Sequence, residues 1–219
     1  MSEIPAWAQT ILKPEDFERI TEAVRQAEQK TSAEIVPMIV RSSTPTGHVP
    51  WLVFFILLSV FWAFLPFVFG LLPYGEAWMW EIGALVLAVI LSRLLSRLNF
   101  VARFLTSADD EVTCVDRRAL LEFHLSRITA TREGTGVLLF VSWLEHRAVV
   151  IADHKIAEKL SGETWEHILV DLVAVIKKGD LAGGLCAAIS ELGNALASDF
   201  PHYEGDHQNE LEDRLILKD

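Results

Sequence analysis

The sequence lacks the short motifs that mark the common enzyme classes. It contains no G-x-S-x-G turn, no P-loop, no G-x-G-x-x-G loop and no H-E-x-x-H pair. Its two cysteines, Cys114 and Cys186, do not have the spacing of zinc ligands, and in a reducing compartment they are read as small core residues. The first dozen residues have neither a basic nor an apolar region, so we expect no cleaved signal peptide. No motif assigns a catalytic residue.

The chain is also short of basic residues. There are 19 Lys and Arg against 30 Asp and Glu, which gives a formal charge of −11 over 219 residues. The excess of acids lies entirely outside residues 51–98. An acidic globular part repels phosphate backbones, so the composition argues against nucleic acid as a partner.

Charged residues are missing altogether from residues 51–72. As a helix this segment would be about 33 Å long, against a hydrocarbon core of about 30 Å. A buried core helix is the alternative, but the segment is apolar on all sides, which favours a membrane span. Residues 77–98 form a second apolar segment, interrupted by Glu81 and Arg93. We therefore predict a transmembrane helical hairpin with spans at 51–72 and 77–98.

The polar and aromatic residues of the second span fit this prediction. Trp78 and Trp80 lie beside Glu81, as is typical of a membrane–water interface. Arg93 and Arg97 are four residues apart, and long arginine stems can reach the lipid headgroups. The alternatives are that these arginines dock onto the acidic domain, or that they bind a lipid or small ligand. We predict that these four tryptophan and arginine residues face lipid or contact headgroups.

The distribution of basic residues predicts the orientation of the hairpin. The connecting loop has no Lys or Arg, whereas five precede the first span and Arg97 and Arg103 follow the second. The positive-inside rule therefore places both termini in the cytoplasm. The sequence predicts a two-span protein of the inner membrane whose partners are the lipid bilayer and an integral membrane protein complex.

The remaining sequence alternates helical and strand patterns. We predict a helix starting near Pro14, a strand over 33–40 at an edge or a bulge because it contains Pro37, and a tight hairpin over 134–153 with only Leu144 and Glu145 between its strands. Two helices and a polar tail follow. The predicted organisation is a domain built from 1–50 and 99–219, interrupted by the hairpin at 51–98.

The most reactive-looking residues follow the second strand of that hairpin. Asp153, His154 and Lys155 come directly after an apolar run. Asp153 either caps the helix that follows it, or joins Glu145 and Asp116 around a hard cation such as Ca²⁺ or Mg²⁺. His154 and Lys155 are predicted to be exposed residues at the start of that helix. Sequence spacing does not decide between a cap and a metal site.

The order of these features resembles the TPM domain family. The resemblance rests on "TSAEIVPMIV" (31–40), on "TGVLLFVSWLEHRAVVIADHKI" (135–156), and on the Trp-bearing helix, "GDLAGGLCAAISELGNAL" and "DFP" that follow. It implies an α/β/α sandwich with a small mixed sheet, which here would be interrupted by the hairpin. Relatives are associated with photosystem II repair, with a proposed metal-dependent phosphatase activity, and with a receptor channel as an auxiliary subunit.

Two functions from different classes follow. The first is a non-enzymatic accessory or regulatory factor, anchored in the membrane, that acts on a membrane protein complex. The second is a divalent-metal-dependent phosphatase that uses acidic residues near Asp153. The shared feature of the TPM relatives is association with membrane complexes, which favours the accessory factor.

Overall fold

The structure is a computed structural model of the whole chain. It describes residues 4–44, 49–69, 77–96, 98, 101, 108–131, 134–160, 162–202, 211 and 213–219. These residues divide into two compact units. The larger unit combines Met1–Ser43 with Thr113–Asp219, and the smaller one is Thr44–Val112.

The described residues form seven α-helices and four strands. In chain order these are α1 (Pro14–Glu28), β1 (Glu34–Val40), α2 (Val49–Phe69), α3 (Ala77–Leu95), α4 (Ala108–Leu125), β2 (Gly136–Ser142), β3 (Arg147–Ala152), α5 (His154–Lys159), α6 (Gly162–Lys177), α7 (Leu181–Ala197) and β4 (Ile216–Lys218). Two short 3-10 turns, Ala8–Thr10 and Ile128–Ala130, complete the regular structure.

The four strands form one mixed sheet in the order β3-β2-β1-β4. Strand β1 is parallel to both β2 and β4, while β2 and β3 are antiparallel. The expectation that Pro37 puts β1 at an edge or a bulge is wrong, because β1 is an interior strand. Strand β4 pairs only with Met38–Val40, so Pro37 has a described strand on one side only and its missing N–H breaks no bond to β4.

Helices cover both faces of this sheet. On one face α1, α6 and α7 pack against alternate strand residues such as Ile35, Ile39 and Leu139. On the other face α4 packs against the intervening residues of the same strands. Because successive residues of a strand point to opposite faces, a strand buried on both sides reads as a continuous apolar run.

Helix α1 shows how sequence signals become structure. Pro14 is its first residue, and the Asp16 carboxylate accepts the backbone N–H of Lys13 at 2.9 Å. Its apolar face is buried against α7, where a Cβ added at Gly193 would lie only 2.7 Å from the Cβ of Ala27. The absence of a side chain at Gly193 therefore allows the two helices to approach closely.

The end of the chain differs from the expected polar tail. Residues Ile216–Lys218 form strand β4, which extends the sheet beside β1. The hairpin turn is also longer than expected, because β2 ends at Ser142 and β3 begins at Arg147. His146, the last residue of that turn, takes a left-handed conformation with φ of 49°.

The predicted transmembrane hairpin requires a correction. Over the residues that the structure describes, no helix combines the length and the apolar character that a membrane crossing needs. On this finding the predicted spans, the fold class interrupted by them, and the two-span inner-membrane topology with cytoplasmic termini are wrong.

Candidate functional site

Asp153 lies at the junction between strand β3 and the short helix α5. Its carboxylate accepts the backbone N–H of His154 at 2.7 Å, and its own N–H continues the ladder to Gly136. The His154 ring nitrogen Nδ1 is 3.2 Å from the same carboxylate oxygen, while most of the His154 side chain is exposed. This is the geometry of an N-cap, the first of the two roles that the sequence suggested for Asp153.

Glu145, the second predicted metal ligand, lies in the turn between β2 and β3 and is only 8% exposed. One carboxylate oxygen accepts Ser42 Oγ at 2.7 Å and the backbone N–H of Ser43 at 3.1 Å, and the other accepts Ser142 Oγ at 2.6 Å. Ser43 and Ser142 are joined by a further hydroxyl–hydroxyl contact of 2.7 Å. A buried carboxylate is expensive unless it is hydrogen-bonded, and these groups supply the bonds.

The serine cluster was not found in the sequence, although its positions follow from simple rules. Ser42 and Ser142 come at the carboxyl ends of β1 and β2, two neighbouring parallel strands. Parallel strands bring their carboxyl ends to the same edge of a sheet. Serines that follow two buried strands could therefore have indicated this cluster. That inference requires knowing that β1 and β2 are neighbours in the sheet.

Asp116, the third predicted metal ligand, lies on helix α4 and is exposed. It lines a groove along β3, together with His146 and Arg147. Over the described part of the chain, no group of three or more His, Cys, Asp or Glu side chains is placed to hold a metal ion. The proposed site for Ca²⁺ or Mg²⁺ formed by Asp153, Glu145 and Asp116 stays a prediction.

The groove beside β3 has a volume of about 880 Å³. Its floor includes Ala148 and Val150 of the strand, and its wall is formed by helix α6, from Gly162 and Trp165 to Lys177. The lining is mainly apolar, with Asp116, Glu166, His146 and Arg147 at intervals along it. The Nε atom of Arg147 is buried and has no hydrogen-bond partner among the described residues. A groove of this kind suits an extended apolar segment better than a small charged substrate.

A second cleft, of about 220 Å³, contains the carboxyl group of Glu28, whose pKa is raised. The pKa of Glu28 is raised from 4.5 to about 8, mainly because the group is buried. The Ile35 N–H, which donates to its carboxylate at 2.9 Å, opposes this increase, and the negative charges of Glu34 and Asp213 add to it. Glu28 therefore holds a proton at neutral pH. A protonated carboxyl group in a cleft is a candidate proton donor, and sequence reasoning missed it because its burial depends on the fold.

The residues predicted to contact lipid headgroups belong to the smaller unit. Arg93 is an exposed residue of α3, where it lines a cleft of about 270 Å³ with Trp51 and Phe54 of α2. Trp78 and Trp80 fall in α3, but their side chains lie outside the described part of the structure, and so does Arg97. The headgroup contacts assumed a membrane span, and that basis is removed by the correction given above.

Comparison with known proteins gives information on the fold alone. No family model matches the sequence, and no curated protein matches it. Among solved structures the chain is similar to the NMR structure of BA42 protein from the psychrophilic bacterium Bizionia argentinensis. That similarity has a TM-score of 0.59 at 20% sequence identity, and it covers 99% of each chain. The resemblance to the TPM family stays a prediction.

Proposed function

We propose that the chain is a non-enzymatic accessory factor that binds an integral membrane protein complex through the apolar surface of helices α2 and α3. The observation that carries the proposal is the exposure of large apolar side chains on both helices. Trp51 is 63% exposed, Phe55 57% and Trp62 59%. Contiguous exposed apolar surface beyond a few hundred Å² marks interaction sites.

The exposed apolar residues are concentrated in the smaller unit. On α2 they are Trp51, Leu52, Phe55, Ile56, Val60, Trp62 and Phe64, and on α3 they are Ile82, Leu85, Val86, Leu87, Val89, Ile90 and Leu94. In the larger unit the same class contains only Leu120, Leu121 and Leu125 on α4 and Val170 on α6, among the residues described. The sheet domain buries its apolar residues, whereas the helix pair displays them. This difference supports a role for α2 and α3 in binding an apolar partner.

The resemblance to the TPM family implies the same kind of role, since its members are associated with membrane complexes. The larger unit would then be the part that regulates the bound complex. The phosphatase alternative has less support, because the Asp153 carboxylate caps a helix and the Glu145 carboxylate bonds three serine residues.

The proposal is tested by site-specific photo-crosslinking of the full chain in cells. A photoreactive phenylalanine analogue is placed at Phe55 on α2, at Ile90 on α3 and, as the matched control, at Leu121 on α4, which is 52% exposed and equally apolar. We expect one adduct of the same mass from Phe55 and Ile90, containing an integral membrane protein, and none from Leu121.

Two results would contradict the proposal. Adducts with lipid alone from Phe55 and Ile90 would show that the apolar surface has no protein partner. Metal-dependent hydrolysis of an aryl phosphate by the purified chain, lost in Asp153→Asn while the fold is kept, would show that the protein is an enzyme.

A further inference from the structure

Strand β3 has an open side. It pairs with β2 on one side, and among the described residues no strand pairs with its other side. The backbone N–H of Asp153 donates to Gly136 O at 2.9 Å, so the odd-numbered residues of this segment turn their hydrogen-bonding groups toward β2. The N–H and C=O groups of Ala148, Val150 and Ala152 consequently face the open side. A six-residue open edge is a template for another strand.

The sequence of this edge is complementary to itself. Residues 147–153 read R-A-V-V-I-A-D. When two copies run antiparallel about Val150, alanine lies opposite alanine at 148 and 152, and valine lies opposite isoleucine at 149 and 151. Arg147 then lies opposite Asp153 at both ends of the pairing. Opposite charges directly across an antiparallel pair stabilise it, whereas like charges destabilise it.

The free atoms at the two ends fit this pairing. The Arg147 Nε is buried without a hydrogen-bond partner among the described residues. The Asp153 carboxylate uses one oxygen, Oδ1, to accept from His154, and its side chain keeps 14% exposure. Each copy therefore carries a positively charged side chain at one end of β3 and a carboxylate at the other.

The groove provides space for the second strand. Its volume of about 880 Å³ lies between β3 and helix α6. The two-fold axis of an antiparallel pair is perpendicular to the sheet, so α6 of both copies falls on the same face. Val170 of α6 lines the groove and is 61% exposed, and it would be covered by the second copy. A stable interface buries on the order of 1,000 Å² or more, and in this arrangement both the strand and the helix would contribute to it.

We propose that two copies of this chain associate through β3, antiparallel and centred on Val150, so that their two sheets become one continuous sheet. The occupant of the groove is then the β3 strand of the second copy. This interface lies wholly in the larger unit and does not depend on α2, α3 or their partner.

The test is the oligomeric state of the full chain in mild detergent, measured by light scattering corrected for bound detergent, together with amide hydrogen exchange. We expect a dimer in which the amides of Ala148, Val150 and Ala152 are protected, although they face away from β2. Dilution should release these amides and leave those of Val149 and Ile151, which bond to β2, protected. A monomer across the micromolar range would overturn the proposal.

Two variants distinguish this interface from association through α2 and α3. Ala148→Pro removes an outward N–H without removing a bond to β2, and it should weaken the dimer at least tenfold. Arg147→Asp should weaken it similarly by placing like charges opposite each other, and adding Asp153→Lys to that variant should restore it. A dimer that survives Ala148→Pro and Arg147→Asp, with exchange of the outward amides unprotected, would overturn the proposal.

If Ala148→Pro also exposes the amides of Val149 and Ile151 to exchange, the variant has disrupted strand β3 itself. The test of the interface then rests on Arg147→Asp and on its combination with Asp153→Lys. Failure of the Arg147→Asp, Asp153→Lys exchange to restore the dimer, while Arg147→Asp dissociates it, would contradict the antiparallel register. Val170→Lys tests the helix contact of the interface, and we expect it to weaken the dimer while leaving β2–β3 exchange unchanged.

Discussion

The two edges of the sheet are built in opposite ways. Strand β4 has three residues and is held by an ion pair, in which the Lys218 ammonium group donates to the Glu122 carboxylate. The same carboxylate accepts a hydrogen bond from Arg118 Nε at 2.9 Å. Strand β3 has six residues, a mainly apolar groove beside it and a complete row of outward backbone groups. A short, charged edge discourages pairing with other chains, whereas a long apolar edge invites it.

The difference shows where the fold leaves room for association. At the β4 edge the strand has only three residues, and the buried carboxylate of Glu122 is satisfied within the chain. At the β3 edge the groups that would bond another strand are already oriented outward. The sheet is therefore short and charged at one edge and long and apolar at the other, and the following variants are ways to alter that asymmetry, from the largest expected effect to the smallest.

Removing Glu122 should destabilise the β4 edge. Glu122 is 3% exposed, and its loss leaves the cationic groups of Lys218 and Arg118 without the carboxylate between them. We expect Glu122→Ala to lower the free energy of unfolding by about 3 kcal/mol, measured by urea unfolding followed by circular dichroism. Glu122→Gln keeps an acceptor and should lose less, and the exposed neighbour change Arg117→Ala should be neutral. An unchanged midpoint for Glu122→Ala would contradict the role assigned to this pairing.

Removing Glu145 should loosen the turn that leads into the open edge. Glu145→Ala leaves the hydroxyls of Ser42 and Ser142 and the N–H of Ser43 without this acceptor, and we expect a loss of about 2 kcal/mol. Amide exchange should rise in the β2–β3 turn and stay unchanged in β4. Glu145→Gln is the conservative control. A calcium-dependent gain in stability that Glu145→Ala abolishes would show instead that the carboxylate is a metal ligand.

Glu28 should make the stability of the larger unit depend on pH. Its folded pKa of about 8, raised mainly by burial, exceeds the ordinary 4.5, so between these values the folded protein holds a proton that the unfolded chain has released. Stability therefore falls as the pH rises from 4.5 to 8, and Glu28 adds no further change above that. Glu28→Gln should flatten this slope and be more stable than wild type at pH 8, because glutamine is neutral in both the folded and the unfolded state. Parallel pH profiles for the two proteins would refute the assignment.

Asp153 should have the smallest effect on stability. Its carboxylate caps α5 through the His154 N–H, and substitution of an N-cap aspartate by alanine costs about 1 kcal/mol, whereas asparagine is as good a cap. Asp153→Ala should therefore raise amide exchange in α5 with a small shift in the urea midpoint, and Asp153→Asn should match wild type. Equal losses in both variants would indicate that the negative charge, rather than the cap, is what matters.

The sequence was informative where structure follows from local pattern. The helix predicted to start near Pro14 begins at that residue, and Ile20, Val24 and Ala27 form its buried side. Strand β4 was missed because Ile216–Lys218 is too short to show a period, and it exists only because β1 offers an unpaired side.

The site was less predictable than the elements, since it depends on which side chains converge. Glu145 and Asp153 were both seen as possible ligands, yet each accepts bonds from groups whose proximity is set by strand order. The prediction of an edge position for Pro37 failed for a related reason. A proline removes one backbone hydrogen bond to one neighbouring strand. It does not prevent the whole strand from lying in the interior of a sheet.

The insertion of residues 44–112 between β1 and the rest of its sheet also bears on the order of folding. Glu34 pairs with Gly136, about 100 residues further along the chain, whereas the β2–β3 hairpin is local. Closing so long a loop is entropically costly, and slow folding accompanies such distant contacts. If α2 and α3 come together first, they shorten the loop that β1 must close. Formation of the helix pair would then lower the entropy cost of pairing β1 with β2, and variants that keep α2 and α3 apart should slow refolding more than they change final stability.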